Sequence, residues 1–75
     1  MAIERPLDAL NQAKGKSVYV SLKNGKEIRG KLLAFDIHIN LVLDDAEELE
    51  GGEIKRKVGR VLIRGDTVVM VIPSD

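Results

Sequence analysis

The chain of 75 residues contains no cysteine. This excludes a disulfide framework, a zinc site built on thiolates and a thiol nucleophile. No apolar run approaches the roughly 18 residues that a membrane-spanning helix needs, and residues 1–11 lack the basic-then-apolar pattern of a signal peptide. These absences predict a soluble, cytoplasmic protein that has no membrane partner.

Net charge is also lacking, because 12 basic and 12 acidic residues give a formal charge of zero. A protein that coats nucleic acid through a broad positive field is therefore not expected, but one that reads a few bases in a defined pocket is compatible. The length predicts a single domain over residues 1–75. A chain this small buries only about 60% of its unfolded surface, so oligomerisation is a plausible source of stability.

The hydrophobic pattern predicts a short helix followed by strands. Leu7 and Leu10 have a helical spacing, Pro6 is tolerated in a first turn and Gly15 is a stop signal, so a helix is expected at about residues 5–14. The period then changes to two over residues 18–22, which predicts a first strand. Asn24-Gly25 predicts a two-residue hairpin, because both positions tolerate positive φ.

Four further strands are expected. The second covers residues 26–35, with Ile28, Leu32 and Ala34 on one face and Gly30 at a bend that curls the sheet. The third begins at Leu41 and runs into an acidic stretch, and a glycine turn at 51–52 follows. The fourth strand is predicted over 58–63, with a second bend at residue 59, and the fifth over 67–72. The fold class is mostly β: a short N-terminal α-helix and a strongly bent five-stranded antiparallel open barrel.

The fifth strand is apolar without alternation over residues 68–72, so both of its faces should be buried. One face can pack on the core of its own chain. The other is expected to pack on a neighbouring subunit, because an open edge strand offers backbone hydrogen bonds for pairing. The sequence thus predicts a ring or another closed oligomer.

Two polar clusters, residues 36–40 and 64–66, interrupt the strands. Asp36, His38 and Asn40 alternate, so in extended backbone they project to the same side. The Asn40 amide offers an acceptor beside a donor, which matches the ring N–H and carbonyl on the edge of uracil. Asp36 can accept from that amide and fix its orientation.

The remaining residues of the clusters suit a flat ligand. His38 supplies a ring that can stack on a base, and Arg64 supplies a planar guanidinium for the opposite side. Gly65 leaves room for close backbone approach, and Asp66 can anchor the turn through backbone amides. Together the two clusters predict one pocket for a base of single-stranded RNA.

Simpler interpretations remain open. A lone loop histidine is usually just exposed, and the Asp-x-His-x-Asn pattern could be part of a metal site completed by other chains, although base binding ranks above it. The acidic run at 44–50 and the basic run at 55–57 are typical of solvated hairpin flanks. Since His38 has no evident nucleophile partner, and Asp44 and Asp45 are adjacent and point to opposite faces, no enzyme is expected. No cofactor or metal is expected either.

These residues resemble the Sm and Sm-like (LSm) RNA-binding family, particularly its archaeal members. The first Sm motif resembles residues 18–43 and the second resembles residues 63–72. The matching residues are Leu22-Lys23-Asn24-Gly25, Gly30, Leu33, Phe35-Asp36, His38 and Asn40-Leu41 in the first motif, and Ile63-Arg64-Gly65-Asp66 with Val68 to Ile72 in the second. The chain departs from many relatives at Ile39, Thr67 and Met70.

The resemblance implies rings, typically of seven subunits, in which the fourth strand of one subunit pairs with the fifth of the next. It implies that uridines bind around the inner rim of the pore, each base between His38 and Arg64 and read by Asn40. Asp36 would stand behind Asn40, with Gly65 and Asp66 in the pocket wall. The expected function is binding of short uridine-rich single-stranded RNA, as an RNA chaperone or ribonucleoprotein scaffold in RNA processing. The rival hypothesis is an oligomeric protein-interaction scaffold without base-specific binding.

Overall fold

The computed structural model describes residues 3–73, which form one helix followed by five antiparallel strands, as the sequence predicted. The strand order is β4-β3-β2-β1-β5, so β4 and β5 are the two edges of the bent sheet. Within the described residues, no helix has the length and apolar character needed to cross a membrane. The elements are α1 (Pro6–Ala13), β1 (Ser17–Leu22), β2 (Glu27–Phe35), β3 (Leu41–Glu50), β4 (Glu53–Ile63), a 3₁₀ turn (Gly65–Thr67) and β5 (Val68–Pro73).

Helix α1 is one residue shorter at each end than residues 5–14. Its start is fixed by Asp8, whose carboxylate accepts hydrogen bonds from the backbone N–H groups of Arg5 at 3.0 Å and Glu4 at 3.2 Å. A carboxylate there satisfies free amides and suits the positive end of the helix dipole. After the helix, the Gly15 N–H donates to the Leu32 carbonyl at 2.7 Å, which ties the helix end to β2.

The core lies between α1, which contributes Leu10 and Ala13, and the strands of the sheet. It needs a close approach of β2 and β3 at Gly30, where a Cβ would lie 2.9 Å from the Asp44 carbonyl oxygen and 3.1 Å from the Cα of Ala46. No side chain fits at that crossing, so the glycine lets β2 and β3 approach as the sheet folds over. The fully buried side chains are Val18, Val20, Leu32, Leu41 and Leu43.

One predicted hairpin is confirmed and the other is wrong in detail. Gly51 and Gly52 both have positive φ, 60° and 84°, and form a two-residue turn between β3 and β4. At Asn24-Gly25 only Gly25 has positive φ, 84°. The Leu22 carbonyl accepts from the Gly25 N–H at 3.0 Å and the Leu22 N–H donates to Lys26, so this loop has three residues and ends in a glycine bulge.

Three further predictions, on the face of Ala34, the start of β4 and the start of β5, differ from the structure. Ala34 is exposed and does not share the face of Leu32, because the register with β3 shifts between these two residues. Strand β4 begins at Glu53, not at residue 58, and its basic half pairs with acidic β3, as in the Arg56–Glu48 contact at 3.3 Å. Thr67 belongs to the 3₁₀ turn and not to the fifth strand.

The two edge strands carry exposed apolar side chains in the isolated chain. Leu62 on β4 is 68% exposed, and Val69 and Met70 on β5 are 61% and 53% exposed. Since apolar groups at unpaired sheet edges favour association, these are the surfaces at which a neighbouring subunit is expected from the sequence.

Candidate nucleic-acid interface

The loop between β2 and β3 is organised around the Asp36 carboxylate. Its Oδ1 accepts from the backbone N–H groups of His38 at 2.8 Å and Asn40 at 3.2 Å, and its Oδ2 accepts from the Asn40 side-chain amide at 2.9 Å. The Asn40 amide first, and then the two backbone donors, hold the pKa of Asp36 below its usual 3.8. Asp36 is therefore ionised at neutral pH and acts as a fixed acceptor.

Asn40 joins this loop to the turn after β4. Its side-chain oxygen accepts from the backbone N–H of Gly65 at 2.7 Å, while its amide nitrogen donates to Asp36. A carboxylate accepts only from a donor and an N–H donates only to an acceptor, so the two partners fix which side of the amide is oxygen and which is nitrogen. One lone pair on the oxygen and one N–H on the nitrogen remain for a ligand.

Gly65 is required by close packing of the two loops. A Cβ at this position would overlap the carbonyl oxygen of His38 and lie 2.8 Å from its carbonyl carbon. The peptide between His38 and Ile39 therefore rests against the Gly65 backbone. The first loop bends to allow this at Ile39, which has a positive φ of 62°, a strained conformation for a β-branched residue.

The second loop is closed by Thr67. Its backbone N–H and its hydroxyl both donate to the Arg64 carbonyl, at 3.0 and 2.7 Å. The Asp66 carboxylate instead accepts from the Arg64 guanidinium at 3.2 Å. The expectation that Asp66 anchors the turn through backbone amides is thus wrong, because Thr67 has that role and Asp66 orients the arginine.

The six predicted residues lie on the two contacting loops, but in different environments. Asn40 and Gly65 are half-buried, whereas the side chains of His38 and Arg64 are exposed. A fixed amide therefore lies on the same pair of loops as two exposed planar groups. That arrangement can hydrogen-bond the edge of a flat ligand and stack on its faces.

Two residues of the site were not identified from the sequence. The left-handed conformation of Ile39 gave no signal, because isoleucine is among the residues that least favour it. Thr67 could have been found, since a threonine three residues after Arg64 is typical of a side-chain-closed turn. Within residues 3–73, no group of three or more histidine, aspartate and glutamate side chains is arranged to hold a metal ion.

Comparison with known proteins finds close relatives over nearly the full chain. Residues 8–73 match the LSM domain. A protein of Archaeoglobus fulgidus described as snRNP Sm-like is 60% identical over 70 residues, covering 93% of this chain and 91% of the relative. A counterpart in Methanococcoides burtonii is 61% identical over 69 residues, covering 92% and 96%.

Solved structures agree with these relatives. The Pyrococcus abyssi Sm protein, in complex with a uridine heptamer, has a TM-score of 0.91 and 46% identity, with 95% of this chain and all of that chain covered. A heptameric archaeal Sm protein has a TM-score of 0.85 and 41% identity, covering 91% and 98%. The chain belongs to the LSM domain family of Sm-like RNA-binding proteins, which are not enzymes.

Proposed function

We propose that seven copies of this chain form a ring that binds short uridine-rich single-stranded RNA at the inner rim of its pore. The ring acts as an RNA chaperone or ribonucleoprotein scaffold in RNA processing, and residues 1–75 form one Sm-like domain. The observation that carries the proposal is the Asn40 amide, held from both sides by Asp36 and Gly65 at 2.9 and 2.7 Å.

The fixed amide favours uracil over cytosine. Uracil presents a ring N–H beside a carbonyl, so its N–H can donate to the Asn40 oxygen while its carbonyl accepts the free amide N–H. Cytosine presents a ring acceptor beside an amino donor, the reverse pattern. Reading it would require Asn40 to flip, which would direct the oxygen of the amide toward the Asp36 carboxylate.

His38 and Arg64 supply the stacking surfaces. The bond to Asp66 lies along the edge of the Arg64 guanidinium, which leaves the planar faces of this group for a base. Stacking contributes about 1–3 kcal/mol per base in proteins that bind single strands. Recognition by Asn40 then selects among bases that stack almost equally well.

Assembly of the chains into a ring favours binding of an RNA strand over binding of a single nucleotide. Edges β4 and β5 of each chain carry exposed Leu62 and Val69, and head-to-tail pairing of these edges closes a ring if the rotation between subunits fits. The relatives solved as a heptamer and with a uridine heptamer support this stoichiometry. Weak contacts at successive pockets then add along one strand by multivalency.

The proposal is tested by comparing the Kd values of oligo-uridine and oligo-cytidine for the wild type and for Arg64→Ala. We expect the wild type to bind oligo-uridine more tightly than oligo-cytidine. Arg64→Ala should bind oligo-uridine more weakly, because one of the two stacking surfaces is removed. Equal affinity for the two oligomers, or full affinity in the variant, would instead favour the protein-interaction scaffold.

A further inference from the structure

The β1–β2 hairpin loop lies directly against the turn that carries Arg64. The backbone N–H of Lys23, the first residue after β1, donates to the Thr67 carbonyl at 2.8 Å. Thr67 in turn donates twice to the Arg64 carbonyl. Two short steps of hydrogen bonding therefore connect Lys23 to Arg64, and the loop after β1 adjoins the turn that carries Arg64.

The charge balance around this point leaves a cation available. Arg64 is paired with Asp66 at 3.2 Å, so these two side chains together carry no net charge. Lys26, which follows the three-residue loop just before β2, lies 3.9 Å from Glu48. Lys23 is exposed and, within the described part of the chain, takes part in none of the ion pairs.

A base pocket alone does not account for the phosphates of the strand that it holds. Each nucleotide brings one negative charge, and the Arg64–Asp66 pair cannot neutralise it without breaking. Lysine is suited to this task, because it places a mobile point charge at the end of a long flexible stem.

Building on the proposed function, we infer that Lys23 is a phosphate-binding residue of the RNA interface, supplied by the β1–β2 hairpin loop. Its ammonium group contacts the backbone of the nucleotide whose base occupies the pocket, or that of the next nucleotide. The division of roles is then clear: Asn40 reads the base, His38 and Arg64 stack on it, and Lys23 neutralises the strand without reading its sequence.

The salt dependence of binding separates this role from base reading. For single strands, the logarithm of the binding constant falls with the logarithm of salt concentration by about 0.7 for each neutralised phosphate. We expect Lys23→Gln to weaken heptauridine binding and to make this slope shallower by about 0.7 or more, while the ratio of heptauridine to heptacytidine affinity stays constant. Lys23→Arg, which keeps the charge, should keep the slope.

Lys16→Gln is the matched control, because it removes the same exposed charge just before β1, seven residues and therefore roughly 23 Å along the chain from Lys23, and not on edge strand β4 or β5. An unchanged slope in Lys23→Gln, or an equal change in Lys16→Gln, would overturn the role of Lys23 and leave the proposed function intact. A wild type that binds heptauridine no better than heptacytidine would overturn the proposed function, while the salt slope of Lys23→Gln would still decide whether Lys23 binds phosphate.

Discussion

The side-chain oxygen of Asn40 accepts a hydrogen bond from the backbone N–H of Gly65 at 2.7 Å, across 25 residues of sequence. This bond joins the loop after β2 to the turn after β4. Because Asp36 holds the other side of the same amide, the orientation of Asn40 is set before any ligand arrives. A preorganised amide does not have to be ordered during binding, which lowers the entropic cost of association.

Gly65→Ala is expected to separate the two loops. The added methyl group would overlap the His38 carbonyl, and overpacking of this kind usually costs about 1–3 kcal/mol. Urea denaturation should show that loss, and heptauridine binding should fall with it. The control is Gly52→Ala, where φ is 84° and nothing lies within 4 Å of the new methyl group: its stability should drop from backbone strain while RNA binding is retained. Similar binding losses in the two variants would contradict the packing explanation.

Asn40→Ala should reduce the preference for uridine more than it reduces overall binding. Removing the amide deletes both hydrogen bonds to the base edge. If these bonds contribute about 1.4 kcal/mol to the preference for uridine, the ratio of the two affinities should fall tenfold. The ratio of Kd values for oligo-cytidine and oligo-uridine measures this directly. Asn11→Ala, an exposed change on α1, should leave the ratio alone. A uniform loss for both oligomers in Asn40→Ala would show that Asn40 does not read the base.

The lowered pKa of Asp36 predicts that the site is sensitive to acid. Its folded-state pKa is lowered by the Asn40 amide, the backbone N–H of His38 and the backbone N–H of Asn40, from an ordinary value of 3.8. The contribution of the ionised Asp36 carboxylate to the free energy of unfolding is therefore complete above about pH 3.8. It is lost as the pH falls through the lower, folded-state pKa. The difference in unfolding free energy between wild type and Asp36→Asn should narrow below about pH 3.8. Asp44→Asn, which loses a pairing with Arg60 away from the loops, should show a comparable pH effect but retain RNA binding. A difference that is constant with pH would contradict the role given to Asp36.

Local patterns predicted most of the fold because they depend on neighbours in sequence. The alternation of Val18 and Val20 and the paired glycines at 51–52 specify a strand and a turn by themselves. Ala34 was placed on the wrong face because a bulge shifts the alternation by one residue, and bulges depend on how the partner strand fits.

The candidate site likewise combines features that local sequence predicts with features that depend on distant parts of the chain. The chemistry of Asn40, His38 and Arg64 could be predicted from their side chains, since donors, acceptors and planar groups are properties of residue type. The contact between Gly65 and the His38 peptide, and the left-handed backbone at Ile39, arise from two loops meeting in space. Nothing in the sequence near residue 39 indicates that a distant turn will pack there.

Val69→Lys is expected to dissociate the proposed ring. Val69 lies on edge strand β5 and is 61% exposed in the isolated chain, so a lysine there would place a charge in the proposed apolar contact with β4 of the next subunit. Sedimentation should show a shift toward the 8.3 kDa chain. Ile37→Lys is the control, because Ile37 is 73% exposed on the loop after β2 and not on an edge strand. If Val69→Lys sediments like the wild type, β5 is not the assembly edge.

The most direct measurement is the native mass of the intact assembly with heptauridine and, separately, with heptacytidine. Seven subunits of 8.3 kDa give about 58 kDa, and we expect this ring to carry one heptauridine strand at concentrations where heptacytidine is not retained. A single 8.3 kDa chain, or a ring that retains the two oligomers equally, would contradict a repeated pocket in which Asn40 selects uracil.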